Sequence, residues 1–162
     1  MILVALGANL PSPLHGGPRE TLEAALLALG EAGLKVVARS AWYETAPVPV
    51  SDQPWYVNGV ARVATDLGPG DVLDLLHGIE AAFGRVRTEV NAPRVLDLDL
   101  LAYGDTVSTG WPVLPHPRLS ERAFVLQPLA DVAPDWRHPV SGADIDRMLA
   151  AIGPGQSTRR LP

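Results

Sequence analysis

The apolar residues of this chain change their spacing along the sequence, and the order of those changes limits the folds open to it. Met1 to Leu6 is an almost continuous apolar run ended by Gly7, the pattern of a strand buried on both faces. A loop from Leu10 to Arg19, with three prolines and two glycines, then gives way to Leu22, Ala25, Leu26 and Leu29 at helical spacing, closed by Gly30 and Gly33. Lys35 to Thr45 is rich in β-branched and aromatic residues and reads as one strand. Beyond a proline-bearing loop over 46–54, Trp55 to Thr65 reads as its hairpin partner or neighbour. Pro69, Gly70 and Asp71 open a second helix with Val72, Leu75, Leu76, Ile79 and Phe83 on one face and Gly84 as its stop. Val95 to Tyr103 returns to strand.

That order, β-α-β-β-α-β, predicts an α+β fold with a ferredoxin-like core, an antiparallel sheet with helices packed on one face. The stretch from Gly104 to Pro162 is expected to be a C-terminal extension, with helices near Arg122 to Ala130 and Asp144 to Ile152 and a frayed tail from Gly153. With 162 residues and no linker or internal repeat, residues 1–162 read as a single domain.

Composition excludes several classes of function. A net charge of −5 argues against a nucleic-acid or anionic-membrane partner. The chain has no cysteine, which removes thiol nucleophiles, zinc fingers and iron–sulfur sites, and a cytoplasmic location is expected. Twelve of the thirteen basic residues are arginine, a bias that composition alone assigns to the genome.

Asp97-Leu98-Asp99 stands out within the last strand. A period of two sends both carboxylates to one face, their Cβ atoms roughly 6.5 to 7 Å apart, while Leu96, Leu98 and Leu100 take the core face. Paired carboxylates on a rigid backbone are what hard Mg²⁺ ions require, although two ordinary acids on a solvated strand face have the same spacing. Around the pair lie Arg85, Arg87 and Arg94 before the strand and His116, Arg118 and Arg122 after it. Acids that bind metal among guanidinium groups that clamp oxygens are the equipment of phosphoryl transfer, and no Walker-type loop is present. Tyr43 to Pro47 and Trp55 to Asn58 set aromatics beside an amide, suited to a flat heterocycle, with Trp42 and Tyr43 weighted towards the core. His15, His77 and His138 have no partner at metal-ligand spacing.

Several blocks together resemble the 6-hydroxymethyl-7,8-dihydropterin pyrophosphokinase family of folate biosynthesis. They are Gly7-Ala-Asn-Leu10, Trp42-Tyr-Glu-Thr-Ala-Pro47, Gln53-Pro-Trp-Tyr-Val-Asn58, Ile79-Glu80, Gly84-Arg-Val-Arg87, Pro93-Arg-Val-Leu-Asp-Leu-Asp-Leu-Leu101, Pro115-His-Pro-Arg118 and Arg122-Ala-Phe124. The resemblance implies transfer of pyrophosphate from ATP to 6-hydroxymethyl-7,8-dihydropterin, with release of AMP. By it Asp97 and Asp99 hold two Mg²⁺ ions, Arg85 and Arg94 neutralise phosphate charge, and Arg87 has a lesser part in the same loop. His116 and Arg122 fall at ATP phosphate contacts, His77 and Leu100 at the adenosine, and Glu80 close to the active site on the ATP side. Thr45 and Val48 offer backbone groups to the pterin, Asn58 its amide, and Tyr56 and Phe124 sandwich the ring. A monomer is expected, a weak dimer being the alternative. The chain departs from the family in a loop over 88–93 that is about one residue shorter and lacks a tryptophan, in an insertion at His15 to Arg19, and in Trp111-Pro112 where some members carry a phosphate-binding arginine. A ferredoxin-like module that binds a small ligand without turning it over is the rival reading.

Overall fold

The computed structural model describes residues 1–12, 14–46, 54–84 and 95–162. Their elements run β1 (Ile2–Ala8), α1 (Pro18–Glu31), β2 (Lys35–Arg39), β3 (Tyr43–Thr45), β4 (Tyr56–Ala64), α2 (Pro69–Ala82), β5 (Asp97–Tyr103), a short 3₁₀ turn (Leu119–Glu121), α3 (Ala123–Val132), α4 (Ile145–Ile152) and β6 (Thr158–Arg160). The strands form one sheet in the order β5-β1-β4-β3-β6, with β2 also on β4, and every pairing is antiparallel. The predicted ferredoxin-like arrangement is present: β1 lies between β5 and β4, and β2 with β3 borders β4 on its other side.

Local chemistry sets most element ends. Helix α1 starts at Pro18, earlier than its apolar stripe suggests, because a proline at the first helical position loses nothing by lacking an N–H. It ends in a Schellman motif: the Gly33 N–H donates to the Gly30 carbonyl at 3.1 Å and the Leu34 N–H to the Leu29 carbonyl at 2.9 Å. Gly33 sits at φ 97°, where a side chain would be strained, and Leu34 and Leu29 are both fully buried in the core the motif closes on.

The stretch expected as one strand from Lys35 to Thr45 is two. The Trp42 ring lies over Gly59 so closely that a Cβ there would stand 2.4 Å from it, and this leaves Ser40 to Trp42 outside the ladder. The Ser40 side-chain oxygen replaces a strand partner by accepting from the Val60 N–H at 2.9 Å. Trp42 and Tyr43 are buried, as expected of core aromatics.

The sheet is covered on both faces: α1 and α2 share one, as expected of the ferredoxin-like core, and the helices of the C-terminal extension cover the other. Ile2, Val4, Leu6, Leu98 and Leu100 pack with Leu22, Leu29, Val72 and Leu76 of α1 and α2. On the opposite face Leu3, Val60, Leu101 and Ala102 pack with Leu126, Leu129, Val132 and Met148 of α3 and α4. A register shift in the β1–β5 ladder at Leu3/Val4 lets the adjacent Leu101 and Ala102 both join this second core. The tail expected to fray ends instead in β6, with Thr45 opposite Thr158 and Tyr43 opposite Arg160.

Candidate active site

The second core is not filled along its whole length. Towards one end, Leu3 and Val60 give way along their strands to Ala5 and Gly7 of β1 and to Asn58 and Tyr56 of β4, and Leu101 gives way to Asp99 and Asp97 of β5. Small and polar residues in place of large apolar ones leave a cavity of about 440 Å³ on this end of the sheet. Arg118, Glu121, Arg122, Phe124 and Val125 wall it from the 3₁₀ turn and the start of α3, and Thr45 and Gln156 close further sides.

One wall is built for hydrogen bonding to a flat polar ring. Asn58 and Thr45 are both buried, and the Asn58 Nδ2 donates to the Thr45 Oγ1 at 2.9 Å. Gly7 makes room for this amide, since a Cβ at that position would come within 2.7 Å of the Asn58 Oδ1. Tyr56 and Phe124 line the same cavity, and the Arg122 guanidinium carbon lies 5.5 Å from the centre of the Phe124 ring.

The other end is ionic. Asp97 and Asp99 both face the cavity and are half-buried. His116 stands beside this end, its backbone N–H bonded to the Leu101 carbonyl at 2.8 Å. Burial first, and then the Arg122 guanidinium, push its pKa down to about 4, with Arg118 acting in the same sense and the Asp97 carboxylate against it. The imidazole is therefore neutral at pH 7. Its Nδ1 accepts from the Arg118 N–H at 3.2 Å, which leaves the proton on Nε2 as a hydrogen-bond donor.

A stability effect follows from this histidine. Unfolded His116 takes up its proton near pH 6.5 and folded His116 only near pH 4, so the folded state loses stability as pH falls through that window. The full loss is about 3 kcal/mol. Urea midpoints of wild type and His116→Gln at pH 7 and pH 4.5 should converge in the variant's favour at the lower pH; equal pH slopes would exclude this histidine as the source.

Three residues expected at ATP are not among those that line this cavity. The alternation that sends Asp97 and Asp99 to the cavity sends the Leu100 side chain into the first core, where it is 3% exposed. Glu80 is fully buried on α2, and its Oε2 accepts from the Leu98 N–H at 2.8 Å, gripping β5 between the two aspartates. His77 is half-buried on α2, the helix packed on the face opposite the cavity. Arg85, Arg87, Arg94 and Val48 lie outside the described residues. Sequence reading overlooked Gly7 as the cavity floor and Gln156 as a wall.

Asp97 and Asp99 also answer whether the site suits a metal ion. Among the described residues no group of three or more acidic or histidine side chains is gathered for one. Two carboxylates from one strand face, opening on a cavity, fit magnesium, which binds through one or two carboxylates and completes its shell with water and substrate phosphates.

Comparison with known proteins places this geometry in a family. A family model described as 7,8-dihydro-6-hydroxymethylpterin-pyrophosphokinase (HPPK) matches residues 3–134. The chain is 44% identical to the 2-amino-4-hydroxy-6-hydroxymethyldihydropteridine pyrophosphokinase of Pseudomonas aeruginosa, over 99% of this chain and 96% of that protein. It is 46% identical to the protein of the same name from Methylorubrum extorquens, over 75% of this chain and 77% of that one. A crystal structure of Plasmodium falciparum HPPK-DHPS with pterin and p-hydroxybenzoate shares the fold, with a TM-score of 0.71 at 15% identity over 93% of this chain and 43% of that longer one. The chain belongs to the 7,8-dihydro-6-hydroxymethylpterin-pyrophosphokinase family.

Proposed function

We propose that this chain is a pyrophosphokinase that transfers the β,γ-pyrophosphoryl group of ATP to the hydroxymethyl oxygen of 6-hydroxymethyl-7,8-dihydropterin, a step of folate biosynthesis. The observation that carries the reading is one cavity with an amide and aromatics at one end and two carboxylates with arginines at the other. In the reaction a bond forms between the hydroxymethyl oxygen and the β-phosphorus. The bond from the β-phosphorus to the oxygen bridging it to the α-phosphorus breaks. AMP leaves with that oxygen, and the hydroxyl proton is released.

The residues divide this work by chemistry. Asn58 and the backbone near Thr45 read the polar edge of the pterin, and Tyr56 and Phe124 offer ring faces to it. Arg122 and the neutral His116 donate to phosphate oxygens, the arginine adding charge. Asp97 and Asp99 would hold two Mg²⁺ ions, and when bound these supply charge neutralisation on the phosphates and alignment of the reacting oxygens. Arg85 and Arg94 would join them in neutralising the phosphates, with a lesser part for Arg87. A monomer acting in the cytoplasm, without nucleic-acid or membrane partners, completes the reading; among the described residues no helix is long and apolar enough to cross a membrane.

The test is product identity. Incubated with ATP, Mg²⁺ and the hydroxymethyl-dihydropterin, the protein should release AMP and the pterin diphosphate in equal amounts. Release of ADP would overturn the reading. Absence of turnover, with pterin binding indifferent to nucleotide and Mg²⁺ in calorimetry, would instead support a ligand-sensing module.

A further inference from the structure

Gln156 lies between α4 and β6, and its side chain spans the two peptide groups that flank Arg122. Its Oε1 accepts from the Ala123 N–H at 3.0 Å, and its Nε2 donates to the Glu121 carbonyl at 2.8 Å. A carboxamide carries donor and acceptor side by side, so it pairs with the carbonyl of one residue and the N–H of the residue two further on, as the N–H and carbonyl of a single residue do in a neighbouring parallel strand. The N-cap residue Arg122 makes no side-chain capping bond to α3, and the first N–H groups of a helix have no carbonyl four residues back within it. Arg122, between the two bonds, is extended at φ −120° and ψ 105°, and the helix carrying Phe124 starts directly after it.

Gln156 is itself anchored from the opposite wall. Two residues on, Thr158 opens β6 opposite Thr45, and the Arg159 guanidinium meets the Glu44 carboxylate in the next pair. The segment thus ties the strand that bears Thr45 to the turn that bears Arg122, and Gln156 lines the cavity between them.

We infer that Gln156 is a positioning residue, whose carboxamide clamps Glu121 to Ala123 so that Arg122 and Phe124 face the cavity together. The inference rests on the reading of that cavity as the ATP and pterin site. Two variants separate its parts: Gln156→Ala removes both hydrogen bonds, and Gln156→Glu keeps the acceptor and the length but sets a carboxylate against the Glu121 carbonyl. Both should raise the KM for ATP about tenfold, on the scale of one lost hydrogen bond to a group that orients a charge, with kcat changed less than threefold and the melting temperature within a few degrees of wild type. In the ligand-free protein, amide exchange at Ala123 should quicken in Gln156→Ala. Kinetic constants within twofold of wild type in both variants would overturn the inference, as would a loss that scales with the unfolded fraction. Unchanged protection at Ala123 would overturn the clamp whatever the kinetics. Failure of the wild type to form AMP would strike the functional reading, while the exchange result still decides the clamp.

Discussion

Asp97→Asn or Asp99→Asn is expected to lower kcat/KM by about a thousandfold while leaving the fold intact. A metal ion acting as a Lewis acid contributes several kcal/mol to charge stabilisation, and each ~1.4 kcal/mol is a factor of ten in rate. Asparagine matches aspartate in size and leaves the backbone of β5 unchanged, so the strand's pairing with β1 should persist. The acids are half-buried on the cavity side rather than packed in a core, and surface-type substitutions of this kind usually shift stability by no more than about 0.5 kcal/mol. Relief of repulsion between the two carboxylates should even offset part of any loss. Kinetics at saturating Mg²⁺ beside thermal melts of the same preparations test the claim. Retained specific activity in either variant, or melting lowered by ten degrees or more, would make the aspartates ordinary strand residues.

The aspartate pair was legible because strand periodicity needs nothing but the chain: one residue in two shares a face, whatever packs on it. The same holds for α2, where Val72, Leu76 and Ile79 recur on the buried side. What sequence could not supply was the identity of the covering layer. The apolar run at the start of β1 demanded burial of both faces, yet the helices that meet the second demand, α3 and α4, follow more than a hundred residues later, and nothing local says where they dock. The break between β2 and β3 escaped for a similar reason, since it comes from the Trp42 ring lying over Gly59 across the ladder. Gln156 gave no signal of its own: a polar residue among Gly, Pro and Ser reads as tail until β6 pins it beside α3. The arginine bias, set aside as genomic, gains local meaning at Arg118 and Arg122, which line the cavity. Arg39 has a different task, stacking over Trp42 and pairing with Glu23.

The second large effect is expected at Glu80, which is not among the residues that line the cavity. As an edge strand of the described sheet, β5 turns part of its backbone away from β1, and the Leu98 N–H on that side is met by the Glu80 carboxylate at 2.8 Å. Leu98 stands between the two aspartates, so this bond helps fix the stretch of backbone whose two ends carry the carboxylates. Glu80→Ala would strip a buried N–H of a charged acceptor and leave a space where a fully buried side chain stood. Losing a hydrogen bond to a charged group costs about 1.5–3 kcal/mol, and the void adds to it, so a loss of about 3 kcal/mol in unfolding free energy is expected. Activity should fall further than the folded fraction does, because the aspartates lose their support even in molecules that remain folded. Glu80→Gln separates the two effects, since the amide oxygen still accepts from Leu98 and should recover most of the stability. Urea titrations of both variants, paired with kcat/KM corrected for folded protein, make the comparison. If Glu80→Ala were as stable as wild type and equally active, the grip of α2 on β5 would have no part in shaping the site; if activity merely followed stability, Glu80 would be a core residue and nothing more.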